Sequence, residues 1–398
     1  MGSSLKILFN AVSAKSGGAA VSMENLCRSL ASLKSRHHFI VLVPPQLAGR
    51  VGRLGAHIEV IPSEIGLGPP WKRFFWDQVT LRRIVKDQRV DVLVSTSDFG
   101  MFFPPCRQIL VVSNSVFFSP FYLKRILPLK SVKFKLEFLL RRQLILFSVK
   151  VADVVIASSG SMVMLLREFV PHLDKKLVVD YLGVPQELFR RQRPASKKGA
   201  EKVTKPFQLL FVSEYSDYKN LTILLKTVLL LREQGVDDFR LMTTADPWQF
   251  PDVEIVSREE DKRLATHPMI AGCVKLTGSV PYADIPALYA QSDLFVLPSL
   301  TESFAYPLVE AMASGLPVIA ADIPICREIC GEAAVYFNPL DVDDLAQKIR
   351  NMRDDPKRRQ ELAALGRKRA SEQFDWNDHV KRLLELIEMT AKERKPLR

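Results

Sequence analysis

Several features that mark other protein classes are missing from this chain of 398 residues. No apolar run is long enough to span a bilayer, because Arg141, Arg142 and Lys150 interrupt the longest candidate. The first residues lack the layout of a signal peptide and lead directly into a strand-like run, so we expect no secretory leader. There are only six histidines and no DxD-type constellation of acids at a position suited to a metal site, so no metal centre is predicted.

Cysteine is also scarce, with five residues scattered along the chain. Cys326 and Cys330 are four residues apart and could share a helix face, but no second pair of ligands accompanies them. We therefore predict reduced thiols in a cytosolic protein rather than a disulfide framework or a zinc site.

The chain does carry excess positive charge, with 56 Lys and Arg against 44 Asp and Glu and a formal net charge of +12. Charge alone leaves nucleic acid, an anionic membrane and anionic small substrates open as partners. A hydrophobic content of 47% and this length favour a globular protein of two domains.

Short apolar runs alternate with helical stretches, and this alternation predicts an α/β fold with parallel sheets. The predicted strands are residues 5–9, 39–43, 58–61, 90–95, 108–113, 154–157, 177–181, 209–212, 239–243, 274–277, 294–297, 318–321 and 334–337. A polar, proline-bounded segment at 194–206 is predicted to link a first domain, 1–193, to a second, 207–375. A terminal helix is expected at about 376–398.

The most informative stretch runs from Asp293 to Pro324, where a strand, a polar loop, a helix and a second strand follow one another. This order implies parallel strands with the loop at their carboxyl ends. Glu302 lies in the loop, and Glu310 lies about one turn inside the helix. Three backbone N–H groups between them lie at the positive end of the helix, which suits a phosphate. They belong to Ser303, Phe304 and Ala305.

The two acids admit two interpretations. Each carboxylate could accept hydrogen bonds from neighbouring sugar hydroxyls, so that the loop would offer partners for a sugar, a phosphate and a second sugar. A nucleotide-sugar has these parts. Alternatively, Glu302 is a solvated loop acid and Glu310 a surface residue near a helix start.

Two other loops also combine a strand end with a helix start. Gly17 and Gly18 follow the first strand, where a glycine pair permits close approach to a phosphate but is usually just a turn. Lys219 and Asn220 precede the helix after strand 209–212. A cation and free N–H groups at that point can jointly hold a diphosphate, although a solvent-facing lysine is common there.

Residues 117–150 differ in character from the rest of the chain. Phenylalanines and leucines alternate there with eight basic residues against one acid. The basic residues are Lys124, Arg125, Lys130, Lys133, Lys135, Arg141, Arg142 and Lys150. Such a stretch suits an interfacial membrane contact, while a buried helix with a solvated basic edge has the same composition. Single-stranded RNA could use the same residues, but no RNA-binding motif accompanies them.

The run E-S-F-x-x-P-x-x-E-A-M-A-x-G-x-P-V beginning at Glu302 resembles the signature of retaining glycosyltransferases of family 4, which have the GT-B fold. The resemblance extends over essentially the whole chain. It implies two Rossmann-like domains facing across a cleft, with the acceptor bound by residues 1–193 and the donor by 207–375. The terminal helix, about 376–398, would pack back on the first domain.

The resemblance also implies roles for individual residues. Glu302 would contact the donor sugar and Glu310 the ribose, while Gly18, Lys219 and Glu302 form the implied catalytic set. The implied donor contacts are Gly17, Gly18, Ser213, Lys219, Asn220, Glu302, Ser303, Phe304, Ala305 and Glu310. The implied acceptor or membrane side comprises Asn114, Lys124, Arg125, Lys133 and Arg141.

Two positions depart from the family pattern. Ser213 and Glu214 stand where the family has a glycine-arginine pair, so one usual diphosphate cation is missing. Asn114 is the nearest polar residue to the position at which many members have a histidine that reaches the donor sugar.

From the resemblance we expect a retaining enzyme that moves a hexose from a UDP- or GDP-sugar to a saccharide or lipid-linked acceptor, in cell-surface polysaccharide or glycolipid synthesis. The nucleotide-sugar is a co-substrate, and no other cofactor, metal or nucleic-acid partner is expected. The enzyme would be cytoplasmic, or peripheral on the inner face of the plasma membrane.

Two alternatives remain open. One is a nucleotide-sugar epimerase of the same fold, which would need acids and histidines for its proton chemistry. The other is a non-catalytic, membrane-associated scaffold on a decayed glycosyltransferase frame, which Glu214 and the missing histidine favour.

Overall fold

The computed structural model describes residues 4–15, 17–33, 35–173, 175–190 and 206–392. The strands of these residues are β1 (Lys6–Asn10), β2 (His38–Val43), β3 (Ile58–Pro62), β4 (Val92–Ser95), β5 (Arg107–Val112), β6 (Val154–Ala157), β7 (Leu177–Val179), β8 (Phe207–Phe211), β9 (Phe239–Thr243), β10 (Val274–Leu276), β11 (Leu294–Leu297), β12 (Val318–Ala321) and β13 (Ala334–Phe337). The helices are α1 (Gly17–Ser32), α2 (Pro45–Val51), α3 (Pro70–Asp87), α4 (Val132–Val151), α5 (Gly160–Arg167), α6 (Gln186–Arg190), α7 (Leu221–Glu233), α8 (Arg258–Ala265), α9 (Ile285–Ala290), α10 (Tyr306–Ala313), α11 (Pro324–Cys330), α12 (Val342–Asp354), α13 (Pro356–Gln373) and α14 (Trp376–Lys392).

The strands form two all-parallel sheets. The first has the order β3-β2-β1-β4-β5-β6-β7, and the second has the order β10-β9-β8-β11-β12-β13. In each sheet the strand order reverses beside the first strand, at the β1–β4 pair and at the β8–β11 pair. Loops at the carboxyl ends of such a pair are the usual ligand sites of doubly wound sheets.

The predicted α/β fold with two Rossmann-like sheets is confirmed. Every predicted strand has a counterpart whose ends lie within two residues of the predicted ones. The reason is local, because strands of parallel sheets are buried on both faces and read as short continuous apolar runs. Buried strands such as β11 and β12 follow this pattern.

Contacts divide the chain into two compact units. Within the described residues, unit 1 comprises 4–114, 136–181 and 377–392, and unit 2 comprises 115–135, 182–190 and 206–376. In unit 1, Arg382 of α14 donates from Nε to Asp180 Oδ1 at 2.8 Å. The predicted linker, 194–206, lies outside the described residues except for Pro206.

The contact units differ from the predicted domain limits at two segments. Residues 115–135 and 182–190 lie within the predicted first domain, but both group with unit 2. Phe117, Phe118 and Tyr122 of the first segment are buried. These three aromatic residues are therefore core residues.

None of the described helices combines the length and the apolar composition that crossing a membrane requires.

Candidate active site

The candidate site lies at the carboxyl ends of β8 and β11 in unit 2. The loop after β8 carries Lys219, and the loop after β11 carries Glu302. The two loops are joined by a hydrogen bond from the backbone N–H of Leu300 to the carbonyl of Tyr218 at 2.7 Å. Residues 83 positions apart in sequence thus meet at the reversal point of the sheet.

Lys219 and Glu302 form a close ion pair. Lys219 Nζ lies 2.6 Å from Glu302 Oε1, and Glu302 is only 8% exposed. Burial has the largest single effect and lowers the pKa of Lys219, but the charge and hydrogen bond of Glu302 together with Tyr218 and Glu214 outweigh burial and leave the pKa of the ammonium above its usual value. Lys219 therefore stays protonated, and its three donors allow it to keep Glu302 while bonding another anion.

Glu310 is buried inside α10 rather than solvated at its surface. The residue is 5% exposed, and its Oε2 accepts a hydrogen bond from the Tyr289 hydroxyl at 2.9 Å. Burial raises the pKa of Glu310 to about 7, although hydrogen bonds from Tyr289 and Tyr282 oppose the shift. The surface interpretation of Glu310 is wrong, and so is the solvated interpretation of the buried Glu302.

The start of α10 presents backbone donors between the two acids. Among the described residues, the N–H groups of Phe304 and Ala305 donate no hydrogen bond. Ala305 adopts φ 61° and ψ 60°, a left-handed conformation that is strained for a residue with a Cβ. The Phe304 side chain packs in the core against Tyr306 and Phe374, so only its main chain can serve a ligand.

Asn220 and Ser213 have structural bonds of their own. The Asn220 side-chain amide donates to the carbonyls of Pro298 at 3.1 Å and Pro339 at 2.9 Å, which ties three loops together. The Ser213 N–H donates to Thr244 Oγ1 at 2.8 Å. Glu214 is exposed beside them. The implied ligand contacts of Asn220 and Ser213 stay predictions.

A network of hydrogen bonds and an ion pair, which the sequence did not predict, holds these loops in place. Lys130 Nζ lies 2.5 Å from Asp217 Oδ2, in the turn that leads to Lys219, and it also donates to the carbonyl of Glu254. Thr301, next to Glu302, bonds Ser115 through their hydroxyls at 3.1 Å. All of these residues belong to unit 2. No local pattern could indicate pairs so far apart in sequence.

The remaining predicted residues are divided between the units. Gly17 and Gly18 open α1 in unit 1, with Gly17 at φ 59°. Asn114 and Arg141 also lie in unit 1, whereas Lys124, Arg125 and Lys133 lie in unit 2. The backbone N–H of Asn114 donates to Asp98 Oδ1 at 3.2 Å. The predicted acceptor or membrane side is therefore not one continuous segment.

Burial limits the membrane interpretation of 117–150 to part of the stretch, and the interpretation stays a prediction. Seven residues at the start of the stretch are buried, namely Phe117, Phe118, Ser119, Tyr122, Ile126, Leu127 and Lys130. They cannot contact a lipid surface in this fold. Exposed apolar side chains in the stretch are Leu129 and several residues along α4.

Unit 1 has a second polar cluster at the carboxyl edge of its sheet. Asn10, at the end of β1, donates from Nδ2 to Asp77 Oδ1 of α3 at 3.0 Å. Arg73 Nε lies 3.5 Å from Asp77 Oδ2. Burial raises the pKa of Asp77 to about 6, against the opposing effects of Arg73 and Asn10. The sequence analysis had not identified these residues.

Within the part of the chain that the structure describes, no three His, Cys, Asp or Glu side chains come together as a metal site. The expectation that the reaction needs no metal stays a prediction.

Comparison with protein-family models and with solved structures agrees with the two Rossmann-like sheets. The model of Glycosyltransferase Family 4 matches residues 16–188, and that of Glycosyl transferases group 1 matches residues 192–369. The fold is similar over 97% of the chain to all of the Anabaena protein HepE, solved in complex with UDP-glucose, with a TM-score of 0.73 and 19% identity. Two Rossmann-like parallel sheets in one chain are typical of the GT-B class of glycosyltransferases. The chain belongs to family 4 of these transferases.

Curated relatives match over part of their length. The MMP alpha-(1->4)-mannosyltransferase of Mycolicibacterium hassiacum is 27% identical over 57% of this chain and 51% of its own. The D-inositol 3-phosphate glycosyltransferase of Thermomonospora curvata is 30% identical over 51% of this chain and 49% of its own. The chain thus aligns with about half the length of these relatives.

Proposed function

We propose that the protein is a retaining hexosyltransferase that takes a nucleotide-diphospho-sugar as donor, with donor recognition assigned to unit 2. The main support for this proposal is the order of groups on one sheet edge. There follow one another the Lys219–Glu302 pair, two N–H groups without partners, and the buried Glu310. The UDP-glucose complex of HepE and the mannosyltransferase relative support a hexose donor.

The proposed chemistry depends on charge. The bond between the anomeric carbon and the diphosphate oxygen breaks, and negative charge develops on the leaving diphosphate. Protonated Lys219 and the N–H groups of Phe304 and Ala305 stabilise that charge without reorganising. The acceptor oxygen bonds to the anomeric carbon on the same face, and its proton passes to the leaving phosphate.

The two acids hold the rest of the donor. Glu302 orients hydroxyls of the transferred sugar, and Glu310 accepts hydrogen bonds from the ribose. Tyr289 occupies one oxygen of Glu310, so that carboxylate is held in one orientation before the donor binds. Such preorganisation lowers the ordering cost of binding.

The acceptor is assigned to unit 1 and is a saccharide or a lipid-linked saccharide of the cell surface. This assignment rests on family resemblance, and the Asn10–Asp77 cluster at the edge of the first sheet supports it. The protein would then act in the cytoplasm, on the inner face of the plasma membrane.

The test is a thermal-shift panel of UDP-, GDP- and ADP-sugars, followed by donor hydrolysis without acceptor. A bound donor raises the melting temperature of the wild type by linkage. We expect one nucleotide class to do so, and we expect Lys219→Met and Glu310→Gln to lose the shift and the hydrolysis. Glu372→Gln, a change at an exposed position of α13, is the matched control.

A non-catalytic scaffold is the second candidate, because Glu214 stands where family members have a diphosphate-binding arginine. This candidate predicts no thermal shift with any donor and no hydrolysis. A shift that is equal in the wild type and Glu310→Gln would also count against the assigned site.

A further inference from the structure

Unit 1 exposes an apolar face that is formed by two helices and by a loop that contacts both of them. We call it the α3–α4 face, and its side chains are Trp71, Phe75 and Val79 of α3, Phe103 of the loop after β4, and Leu136, Leu140 and Phe147 of α4. Trp71 is 60% exposed, Phe75 61% and Phe103 70%. Exposed apolar groups of this size, collected on one face, mark an interaction surface.

Spacing and contacts make this face continuous. Trp71, Phe75 and Val79 recur every four residues and form one stripe of α3. Beneath the exposed groups the rings of Phe74 and Phe102 lie 5.2 Å apart, and those of Phe102 and Phe147 lie 4.4 Å apart. These ring contacts join α3 to α4 through the loop.

Polar bonds hold the loop against α3. The Phe102 N–H donates to Gln78 Oε1 at 2.8 Å, and Gln78 Nε2 donates to the carbonyl of Gly100 at 3.3 Å. Arg82 also donates to the carbonyl of Phe103. Phe103 therefore extends from a loop that hydrogen bonds hold in place. Its exposure does not result from a loosely held backbone.

The charges around the face have one predominant sign. Six cationic side chains with some exposure accompany it on α3 and α4, against the acids Asp87 and Glu137. The cations are Lys72, Arg82, Arg83, Lys86, Arg141 and Lys150. Asp77, the other acid of α3, is buried.

We propose that the α3–α4 face docks the protein on an anionic lipid surface. Tryptophan, phenylalanine and leucine would enter the headgroup boundary while the cations meet lipid phosphates. Each basic residue near such a surface adds about 1 kcal/mol of attraction, a factor of about five in binding. This inference deepens the proposed function, on which the role of docking rests, because a lipid-linked acceptor would be presented at that surface.

Co-sedimentation of the full chain with vesicles tests the proposal. We expect binding to phosphatidylglycerol-containing vesicles at low salt, weaker binding at high salt, and little binding to pure phosphatidylcholine. Phe75→Ser combined with Phe103→Ser removes two apolar anchors and should lower vesicle affinity at least about tenfold. Arg83→Gln combined with Lys86→Gln should lower it by about tenfold or more, for anionic vesicles only.

Trp248→Ser, which changes an exposed aromatic of unit 2, is the matched control and should bind vesicles as the wild type does. All variants should keep the donor-induced thermal shift, so a loss of vesicle binding is separable from a loss of the donor site. No binding to anionic vesicles overturns the proposal. Equal binding by the wild type and both face variants overturns it as well, and so does equal binding to neutral vesicles.

Discussion

Glu310 is the residue whose environment departs furthest from what its position in the sequence indicates. It lies in the first turns of α10, yet it is buried and accepts a hydrogen bond from Tyr289. A carboxyl group buried in this way resists ionisation, and its pKa of about 7 follows from that burial. The protein thus keeps a destabilising acid at the point where we place the ribose.

The first prediction concerns the stability of Glu310→Gln. Because the folded pKa, about 7, lies above the ordinary glutamate pKa of 4.5, the native state holds the proton more tightly than the unfolded chain. Stability from this group is therefore full below about pH 4.5 and is lost as the pH rises to about 7. Glutamine avoids that loss, which is on the order of 3 kcal/mol.

We expect Glu310→Gln to unfold at higher urea than the wild type at pH 8 and to differ little from it at pH 4.5. Urea denaturation at the two pH values measures this difference. A glutamine variant that is less stable at pH 8 than at pH 4.5, relative to the wild type, contradicts the prediction.

The second prediction concerns Ala305, whose left-handed backbone costs about 1–2 kcal/mol for a residue with a Cβ. Ala305→Gly removes that cost but adds freedom to the unfolded chain, so stability should change by less than about 1 kcal/mol. Ala305→Val should instead lower the free energy of unfolding relative to the wild type. Donor affinity should survive in the glycine variant, since its N–H is unchanged. Denaturation and donor titration of both variants check this, and a glycine variant as unstable as valine would refute it.

At the scale of elements, the segment from Ser115 to Lys135 forms part of the support of the second sheet's loops. Lys130 is 4% exposed and paired with Asp217, while Ser131 donates to the Glu254 carboxylate from its N–H at 2.6 Å and from its hydroxyl at 2.7 Å. Asp217 Oδ1 in turn accepts from the N–H of Val256 at 2.7 Å. These bonds fix the turn that presents Lys219.

The third prediction is that Lys130 positions the donor site. Lys130→Met leaves Asp217 buried without its partner, which should cost about 3–5 kcal/mol of stability. Lys130→Met combined with Asp217→Asn should recover part of that stability but should not restore donor affinity. Calorimetric titration with the donor measures this, expecting a higher dissociation constant and a higher KM with a smaller change in kcat.

Lys133→Met is the control for this prediction, because Lys133 is a nearby but exposed lysine. A double variant that regains stability and binds the donor as the wild type does would mean that Lys130 is structural only.

At the scale of the whole molecule, the cysteines test the predicted reducing environment. All five are free thiols; Cys27, Cys326 and Cys330 are buried, and Cys106 and Cys273 are partly exposed. Burial raises the pKa of Cys27 and of Cys330 to about 12. A raised pKa leaves little thiolate to react.

The fourth prediction is therefore that a thiol reagent labels two cysteines of the native protein within minutes and five after denaturation. Reducing agent should not change the melting temperature. Fewer than five thiols in denaturant without reductant would indicate a disulfide and contradict the prediction.

Prediction from the sequence succeeded where one segment carries its own signal. The strand ends, the helix near Pro307 and its stop at Ser314 and Gly315 follow from apolar runs, proline and glycine over a few residues. It could not divide 117–150 into its buried start and its exposed helix α4, because basic and aromatic residues look alike whether they face lipid or pack in a core. Helix α13 has no counterpart among the predicted elements, since its apolar pattern is weak and its charges are many.

The sequence by itself determined the two parallel sheets, the loop with Glu302 and Glu310, and the family, because each depends on residues close together in the chain. Only the tertiary structure decided that Tyr289 encloses Glu310, that Lys130 supports the Lys219 turn and that α3 joins α4 in one exposed face. Burial, pKa and surface continuity depend on which distant segments pack together. A linear pattern does not contain that information, since the same side chain is stable in several surroundings.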